Sequence, residues 1–169
     1  MIVTYPYVTG LVAGAFIVSS LYHVFGRKEL WPIGRFSLVA SFAFMLVATL
    51  PLVNHLGHPE RAFNIMVTPN SSSAMAGFGL VYNWYLMILI LEIWFVFRKD
   101  IVMTARQSRG IKRTIFSLLA LRTYDISEEA LKTDHKIVTV LTAIGIPSAC
   151  FLHGYVGFLF GAVKANPWW

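Results

Sequence analysis

Four apolar stretches, each long enough to cross a lipid bilayer as an α-helix, constrain the fold of this chain more than any other feature. They cover residues 7–25, 36–55, 74–97 and 137–163, and among Asp, Glu, Lys and Arg only Glu92 falls within them. Charged residues make up 13% of the sequence, whereas an average soluble domain has roughly 25%. We therefore predict an all-α integral membrane protein, a bundle of four transmembrane helices.

The cysteine content excludes several kinds of cofactor site. Cys150 is the only cysteine, so the chain forms no internal disulfide and, by itself, no iron–sulfur or thiolate zinc site, which need several thiolates. The sequence has no Cys-x-x-Cys-His motif, which excludes covalent haem attachment. We predict no metal site and no covalently bound cofactor in this chain.

Lysine and arginine are distributed unevenly between the two sides of such a bundle. The turn between the first two spans has three of them and the segment between the last two has nine, whereas the 54–73 loop and the tail have one each. Because cytoplasmic loops are rich in Lys and Arg, we predict that the N-terminus and the 54–73 loop face outward. In a bacterium the chain would then lie in the inner membrane with this loop in the periplasm. Since the basic residues follow membrane topology, we predict no nucleic-acid partner.

Residues 101–136 form the longest polar stretch of the chain. Arginines and lysines surround an apolar set there, made up of Ile111, Ile115, Phe116, Leu118 and Leu119. A basic segment with an apolar face is typical of a helix that lies on a membrane surface. We predict a cytoplasmic amphipathic segment that contacts membrane lipid.

The loop between the second and third spans gathers a dense group of polar and turn-forming residues. Gly57 and Pro59 prevent a helix from passing through it. Two interpretations remain open, a solvated loop with a local ion pair or part of a binding site at the outer face. The residues concerned are His55, Gly57, His58, Pro59, Glu60, Arg61, Asn64 and Pro69.

Titratable side chains inside a membrane are costly, so each of them indicates a function or a specific partner. His153 is the deepest of them by residue count, and it suits a quinone hydrogen bond, a proton relay, a haem ligand or a structural bond to a neighbouring helix. Tyr155 lies about 200° around the helix from His153, so the two need other helices to serve one small site. Nearer the inner side, three further residues are candidates for a proton route or for structural roles: His23, Tyr85 and Glu92.

A b-type haem is a further alternative that the residues leave open. Such a haem needs two axial ligands that face each other across a bundle. His55 and His153 both fall toward the outer half, and their spacing neither requires nor excludes a haem between them.

The residues of the polar loop carry a resemblance to a known family. The run from Leu56 to Asn64, Leu-Gly-His-Pro-Glu-Arg-Ala-Phe-Asn, followed by Thr68-Pro69-Asn70, resembles the LGRPER…N…TPN stretch of the polysulfide reductase membrane subunits (NrfD/PsrC-like). Residues 10–15, 73–77 and 153–169 are similar to the same family, so the resemblance covers essentially the whole chain. The family usually has arginine at position 58, so His58 replaces a fixed positive charge with a titratable group.

The resemblance implies a quinone-interacting membrane subunit of a respiratory oxidoreductase complex, without a haem of its own. Such subunits exchange electrons between the menaquinone or ubiquinone pool and a periplasmic ferredoxin-type iron–sulfur protein, which serves a molybdopterin enzyme or a multihaem cytochrome. The chain would be quinone-reactive within that complex or non-catalytic on its own. We expect five residues near the outer face to surround or support the quinone headgroup: Tyr7, His55, Arg61, His153 and Tyr155.

Members of that family normally have eight or more spans in two four-helix bundles. This sequence has four spans and stops at Trp169, so we expect it to correspond to the first bundle, as a truncated, split or incomplete sequence. Two other functions stay open. One is a membrane anchor whose loop docks a periplasmic oxidoreductase without quinone chemistry, and the other is a b-type cytochrome that uses His55 and His153.

Overall fold

The computed structural model of the protein describes residues 4–55, 57–62, 64 and 74–162, and these form helices joined by short turns, without any strand. Four of the helices are long and apolar enough to cross a membrane, which confirms the predicted fold class. The helices are α1 (Thr4–His23), α2 (Trp31–Ala48), α3 (Leu50–His55), α4 (Ala74–Gln107), α5 (Ile111–Leu119) and α6 (Glu128–Ala162), with 3₁₀ turns at Lys28–Leu30 and Pro59–Arg61.

The four long helices form an up-and-down bundle in which each one runs antiparallel to its two neighbours. The order around the ring is α1, α2, α4, α6, and α6 packs back against α1. Hydrogen bonds between side chains and neighbouring helices fix this register: Ser41 to the Val12 carbonyl at 2.9 Å, Tyr82 to the Met45 carbonyl at 2.8 Å, and Trp84 to Ser148 at 3.2 Å.

The bundle has two chemically different ends. One end carries Arg27, Arg35 and Arg98, and we call it the basic end. The other carries α3 and the Pro59–Arg61 turn, and we call it the loop end.

The buried stripe on α1 shows how the sequence selects the bundle interior. Apart from the adjacent Ser19 and Ser20, its buried residues recur at intervals of three or four, which is the spacing of one helical face. This stripe is mixed in polarity, and apolar side chains such as Phe36 of α2, 74% exposed, point outward instead. That inversion fits a chain surrounded by lipid. The stripe consists of Tyr5, Thr9, Val12, Phe16, Ser19, Ser20 and His23.

Helix boundaries differ from the sequence-based spans for identifiable reasons. The helix α2 already begins at Trp31, because Pro32 suits the first helical turn, where its missing N–H is not needed. The predicted second span breaks at Thr49, just before Pro51, so its last turn is the separate helix α3. Both α4 and α6 continue past the apolar stretches into the 101–136 segment, of which only α5 is an independent helix.

A buried ion pair joins α4 to α6 at the basic end. Arg98 donates to both carboxylate oxygens of Asp134, at 2.6 and 2.7 Å, and to the Asp125 carbonyl at 3.0 Å. Arg98 and Asp134 are only 9% and 8% exposed. The pair therefore fixes the relative height of the two longest helices.

The start of α6 is held by a small hydrogen-bonded cap. The Ser127 hydroxyl accepts the Ala130 N–H, and the Ser127 N–H donates to Asp125 at 2.9 Å. The hydrogen bond from the Ser127 N–H lowers the pKa of the exposed Asp125 carboxyl. The hydrogen bond from the Ser127 hydroxyl and then the charge of Arg98 lower this pKa further. A lowered pKa in the folded state means that the stabilisation is present at neutral pH and is lost as the pH falls through that lowered pKa.

Close helix contacts occur at different glycines from those of the GxxxG patterns in the sequence. A methyl group at Gly10, Gly14, Gly157 or Gly161 would meet no described atom within 4 Å. At Gly145 of α6, by contrast, it would lie 2.4 Å from the Phe16 ring of α1. The lack of a side chain at Gly145 therefore allows α6 and α1 to pack closely at this point.

Gly145→Ala is expected to lower the free energy of unfolding by about 1–3 kcal/mol, the usual cost of overpacking a core. The Phe16 ring cannot move aside easily, because it is fully buried and lies edge-on to Tyr85 at 5.7 Å. Gly154→Ala on the same helix is the matched control, since it meets no described atom, and alanine there should be neutral or slightly stabilising. Thermal denaturation in detergent measures both, and equal melting temperatures would contradict the contact at Gly145.

Candidate functional site

His153 joins α6 to α1 near the loop end. Its Nδ1 lies 2.8 Å from the Ala149 carbonyl oxygen of its own helix, and its Nε2 lies 2.5 Å from the Thr9 carbonyl oxygen of α1. Both partners are acceptors, and a neutral imidazole has one N–H to donate. The ring is therefore held between two carbonyls. The neutral ring donates to one of them, and a second proton on the other nitrogen would also have a carbonyl acceptor. This is the structural bond to a neighbouring helix that the sequence left open.

Tyr155 lies on the opposite side of α6 from His153 and faces α4. A methyl group at Gly77 of α4 would lie 2.2 Å from the Tyr155 hydroxyl oxygen, so the phenol packs directly against that backbone. Its ring is flanked by Phe151 at 6.1 Å and Phe158 at 5.7 Å. The separation of His153 and Tyr155 around α6 agrees with the helical periodicity, and the described helices do not bring them into one site.

An apolar groove lies beside Tyr155 on the outer surface of α6. It has a volume of about 630 Å³ and is lined by Cys150, Phe151, Gly154, Tyr155 and Phe158. Cys150 and Gly154 are exposed there, and their small size leaves space beside the aromatic rings. The groove can accept a flat apolar or aromatic group that arrives from the lipid.

The predicted loop residues occupy an exposed turn at the loop end. His55 ends α3, and its side chain lies outside the part that the structure describes. Arg61 ends the 3₁₀ turn that Pro59 begins, and it is exposed. His58 Nδ1 lies 2.9 Å from Glu60 Oε1; both side chains are about two-thirds exposed, so this is a local surface pair.

Other predicted loop and outer residues have varied placements. Gly57 is exposed, and so is Asn64, which makes a contact with the protein. Pro69 lies outside the described residues. Tyr7 on α1 is 69% exposed and points away from the bundle interior.

Sequence reasoning missed Tyr5, a tyrosine that is buried at this end. Tyr5 is 2% exposed, its ring lies edge-on to Phe78 at 6.0 Å, and its hydroxyl has no hydrogen-bond partner among the described residues. The sequence did indicate that Tyr5 is buried. It precedes His23 by 18 residues, which is five helical turns, so the two side chains lie on the same face of α1. Tyr7, two positions on, falls on the lipid side for the same reason.

The three residues predicted for an inner proton route all point into the bundle. Glu92 and Tyr85 of α4 are fully buried, and His23 at the end of α1 is 6% exposed. Glu92 Oε1 lies 2.6 Å from the Thr142 hydroxyl, whereas its Oε2 has no partner among the described residues. The Tyr85 hydroxyl and both His23 ring nitrogens are likewise buried without a described partner.

The hydroxyl of Thr142 can bond Glu92 in either protonation state, because it can donate to the carboxylate or accept from the carboxylic acid. Thr142 Oγ1 also lies 2.8 Å from the Val138 carbonyl, and a hydroxyl has a single proton to donate. A protonated Glu92 can donate to Thr142 while Thr142 donates to Val138. The site can therefore hold a proton on this carboxyl.

A cavity of about 470 Å³ opens at the basic end and reaches His23. Arg35 borders it, paired with Asp100 and stacked at 4.2 Å on Phe97 and at 5.0 Å on Trp31. The remaining lining includes Lys99, Asp134 and His135. The cavity therefore connects His23 with the charged side chains of the basic end.

Within the described residues no three His, Cys, Asp or Glu side chains come together as a possible metal site.

Comparison with known proteins relates the chain to membrane subunits of reductases. The family model described as "Polysulphide reductase, NrfD" matches residues 1–169, which confirms the resemblance seen in the loop motif. The chain is 32% identical to a selenate reductase subunit of Mesobacillus selenatarsenatis, over 99% of this chain and 41% of that protein. It is 25% identical to a putative dimethyl sulfoxide reductase membrane subunit of Halobacterium salinarum, over 95% of this chain and 34% of that protein.

The chain spans less than half the length of these two relatives. No solved structure shows a significant match.

Proposed function

Because the chain belongs to the NrfD polysulphide reductase family, and so to the membrane subunits of reductase complexes, we propose that it exchanges electrons between the membrane quinone pool and a periplasmic iron–sulfur partner. Menaquinone or ubiquinone is then an exchangeable substrate rather than a resident cofactor. The observation that carries the proposal is the apolar aromatic groove beside Tyr155 at the loop end. This groove lies at the end of the bundle that also carries the family's polar motif.

The groove suits a quinone by its shape and chemistry. Aromatic rings prefer edge-on or offset contacts with other flat π-systems, and Tyr155, Phe151 and Phe158 supply three such surfaces. Because the groove opens toward the lipid, an isoprenoid tail can remain among the acyl chains while the headgroup enters. Tyr7, His55 and Arg61 belong to the same end of the bundle, and we propose that they also contact or support the quinone headgroup.

His153 supplies proton chemistry on the other side of α6. A quinone headgroup gains or loses protons together with electrons, and a positioned imidazole is the most common group for such transfers. The ring between the Ala149 and Thr9 carbonyls can hold a second proton, so it serves as a proton acceptor for the loop end. Additional helices of the assembled complex would connect this ring to the headgroup.

The exposed turn at the loop end indicates which end of the bundle binds the partner subunit. His58, Glu60 and Arg61 are exposed in the described part of the chain, so their side chains are accessible to another subunit. We place this end in the periplasm because the basic residues gather at the opposite end. The partner we propose is a ferredoxin-type iron–sulfur protein, which serves a molybdopterin or multihaem subunit.

We also propose a proton route from the basic end, along His23, Glu92 and Tyr85. The cavity brings water to His23, and Glu92 has one carboxylate oxygen free of described partners in the bundle interior. Tyr85 precedes Glu92 by two helical turns, about 10 Å along the axis. Intervening water would connect these groups.

Glu92→Gln is expected to slow proton uptake from the basic side by about 100-fold, the usual size of a lost acid–base group. The amide can still donate to Thr142 but cannot release a proton. Turnover with quinol in proteoliposomes that contain a pH-sensitive dye measures this rate. Thr142→Val is the control, because it removes the hydrogen bond and leaves the carboxyl. Unchanged proton uptake in Glu92→Gln would make Glu92 a structural residue.

An absorption spectrum and a quinone titration test the main proposal, carried out on the protein purified from membranes with its co-purifying subunits. Saturable quinone binding, no Soret band and a co-purifying iron–sulfur protein are the expected results. Partner binding without quinone binding would leave a membrane anchor. A Soret band would instead assign His55 and His153 to a b-type haem, which requires a ring nitrogen of His153 to leave its carbonyl.

A further inference from the structure

The helix α5 folds back along the end of α4 and returns to the level of the membrane boundary. The chain reverses at Gly110, which has a φ of +65°, a conformation that glycine adopts without strain. At the far end of α5, the Trp94 indole N–H of α4 donates to the Leu119 carbonyl at 2.7 Å. Trp94 lies one turn inside Arg98, where the apolar part of α4 ends, so the C-terminal end of α5 sits at the height of the lipid headgroups.

One face of α5, continued by the turn after it, is apolar and uncovered. Ile111, Ile115, Leu118, Leu119 and Leu121 are between 47% and 80% exposed. A patch of this kind is unfavourable in water, and at the height set by Trp94 the adjacent phase is the bilayer. The face therefore partitions into the interface, as amphipathic helices on membranes do.

A small polar cavity opens next to this apolar face. It has a volume of about 320 Å³, and its lining combines two guanidinium groups, three hydroxyls and one apolar side chain, those of Arg113, Arg122, Thr114, Ser117, Tyr124 and Leu118. Ser117 and Tyr124 are hydrogen-bonded to each other across it. Arg122 reaches the cavity because it and Leu121 both have a positive φ, of 57° and 51°, which turns the chain back after α5.

The two arginines of the cavity have no acidic partner in the described part of the chain. The three ion pairs found there involve Arg35, His58 and Arg98 instead. In the sequence, no Asp or Glu occurs between residues 101 and 124, whereas Arg106, Arg109, Lys112, Arg113 and Arg122 all fall there. The cavity is therefore a site of uncompensated positive charge.

We propose that this cavity binds the phosphate of an anionic phospholipid at the basic side of the membrane. Arginine matches phosphate through paired N–H donors, and Arg113, Arg122 and Thr114 all line this one cavity. Leu118 lines the same cavity and continues into the apolar face, so it directs the acyl chains of the bound lipid alongside Ile115. The site depends only on the membrane position of α5 and not on the quinone proposal.

A lipid competition experiment tests the site, with the membrane-purified protein in a neutral detergent. Short-chain phosphatidylglycerol and phosphatidylcholine are titrated, and native mass spectrometry counts the bound lipids. We expect the double variant R113Q/R122Q to bind phosphatidylglycerol about 30-fold more weakly, since each basic group near a lipid surface contributes about a fivefold factor in affinity. The matched control is R109Q/K112Q, which removes the same charge from the same segment outside the cavity and should retain the binding.

Three outcomes would overturn the proposal. The first is no preference of the unaltered protein for phosphatidylglycerol over phosphatidylcholine. The second is an equal loss in both double variants, which would mean that the whole basic segment attracts lipid without a defined cavity. The third is displacement of the lipid by inorganic phosphate at a similar concentration, which would mark a site for a soluble anion.

Discussion

Asp134→Ala is expected to lower the free energy of unfolding by about 3–5 kcal/mol, the usual cost of removing one partner from a buried ion pair. Asp134 is the partner of Arg98, and both are less than a tenth exposed. Without the carboxylate, the Asp125 carbonyl is the one acceptor that the guanidinium keeps among the described residues. A buried charge that has lost its counter-charge is what makes this variant costly.

Asp100→Ala is the matched control for this prediction. Asp100 also pairs with an arginine at the basic end, Arg35, but its side chain is 52% exposed. Exposed pairs contribute about 0–1 kcal/mol, so this variant should melt close to the unaltered protein in detergent. Equal shifts in melting temperature for Asp100→Ala and Asp134→Ala would contradict a special role for the Arg98 pair.

A double variant separates the charge from the packing. Arg98→Met combined with Asp134→Leu removes both charges and keeps apolar volume between α4 and α6. Because apolar replacement of a whole buried pair is often neutral, the double variant should recover most of the loss. If it is as unstable as Asp134→Ala alone, the pair fixes the helix register and cannot be replaced by apolar packing.

The transmembrane fold was predictable from the sequence because lipid leaves the backbone few choices. Every N–H and C=O in the hydrocarbon must be paired within the chain, so a long apolar run can only be a helix. No such constraint acts outside the membrane. There, residues 98–107 and 128–136 extend α4 and α6, although their composition is that of a surface segment, because the Arg98 pair connects them across 36 residues of sequence.

The candidate site was predictable only in part, because periodicity assigns a helix face but not its neighbour. The 200° between His153 and Tyr155 correctly separates them around α6. His153 meets α1 at Thr9, and Tyr155 meets α4 at Gly77. Neither Thr9 nor Gly77 has a side chain that would predict these contacts from the sequence. The same limit applies to the glycines, because the sequence does not distinguish Gly145, which lies against Phe16, from Gly154, which meets no described atom.

His153→Gln and Tyr155→Leu are expected to damage quinone chemistry in two different ways. The glutamine amide keeps an N–H donor for one of the two carbonyls that His153 contacts, but it cannot exchange a proton. Its rate of quinol oxidation should therefore fall by about 100-fold at unchanged quinone affinity. Tyr155→Leu removes the aromatic ring from the groove, so its quinone affinity should fall by about 30-fold, the effect of losing an aromatic anchor worth about 2 kcal/mol.

Quinol oxidation in membranes, followed as a function of quinol concentration, distinguishes the two effects. Phe36→Leu is the control, because Phe36 is an exposed aromatic of α2 far from the groove and its loss should change neither the rate nor the affinity. Tyr155→Phe keeps the ring and should retain most of the affinity, which assigns the loss in Tyr155→Leu to the ring rather than the hydroxyl. If quinol oxidation is unchanged in both His153→Gln and Tyr155→Leu, the quinone does not meet this bundle, and the loop end serves only to hold the partner subunit.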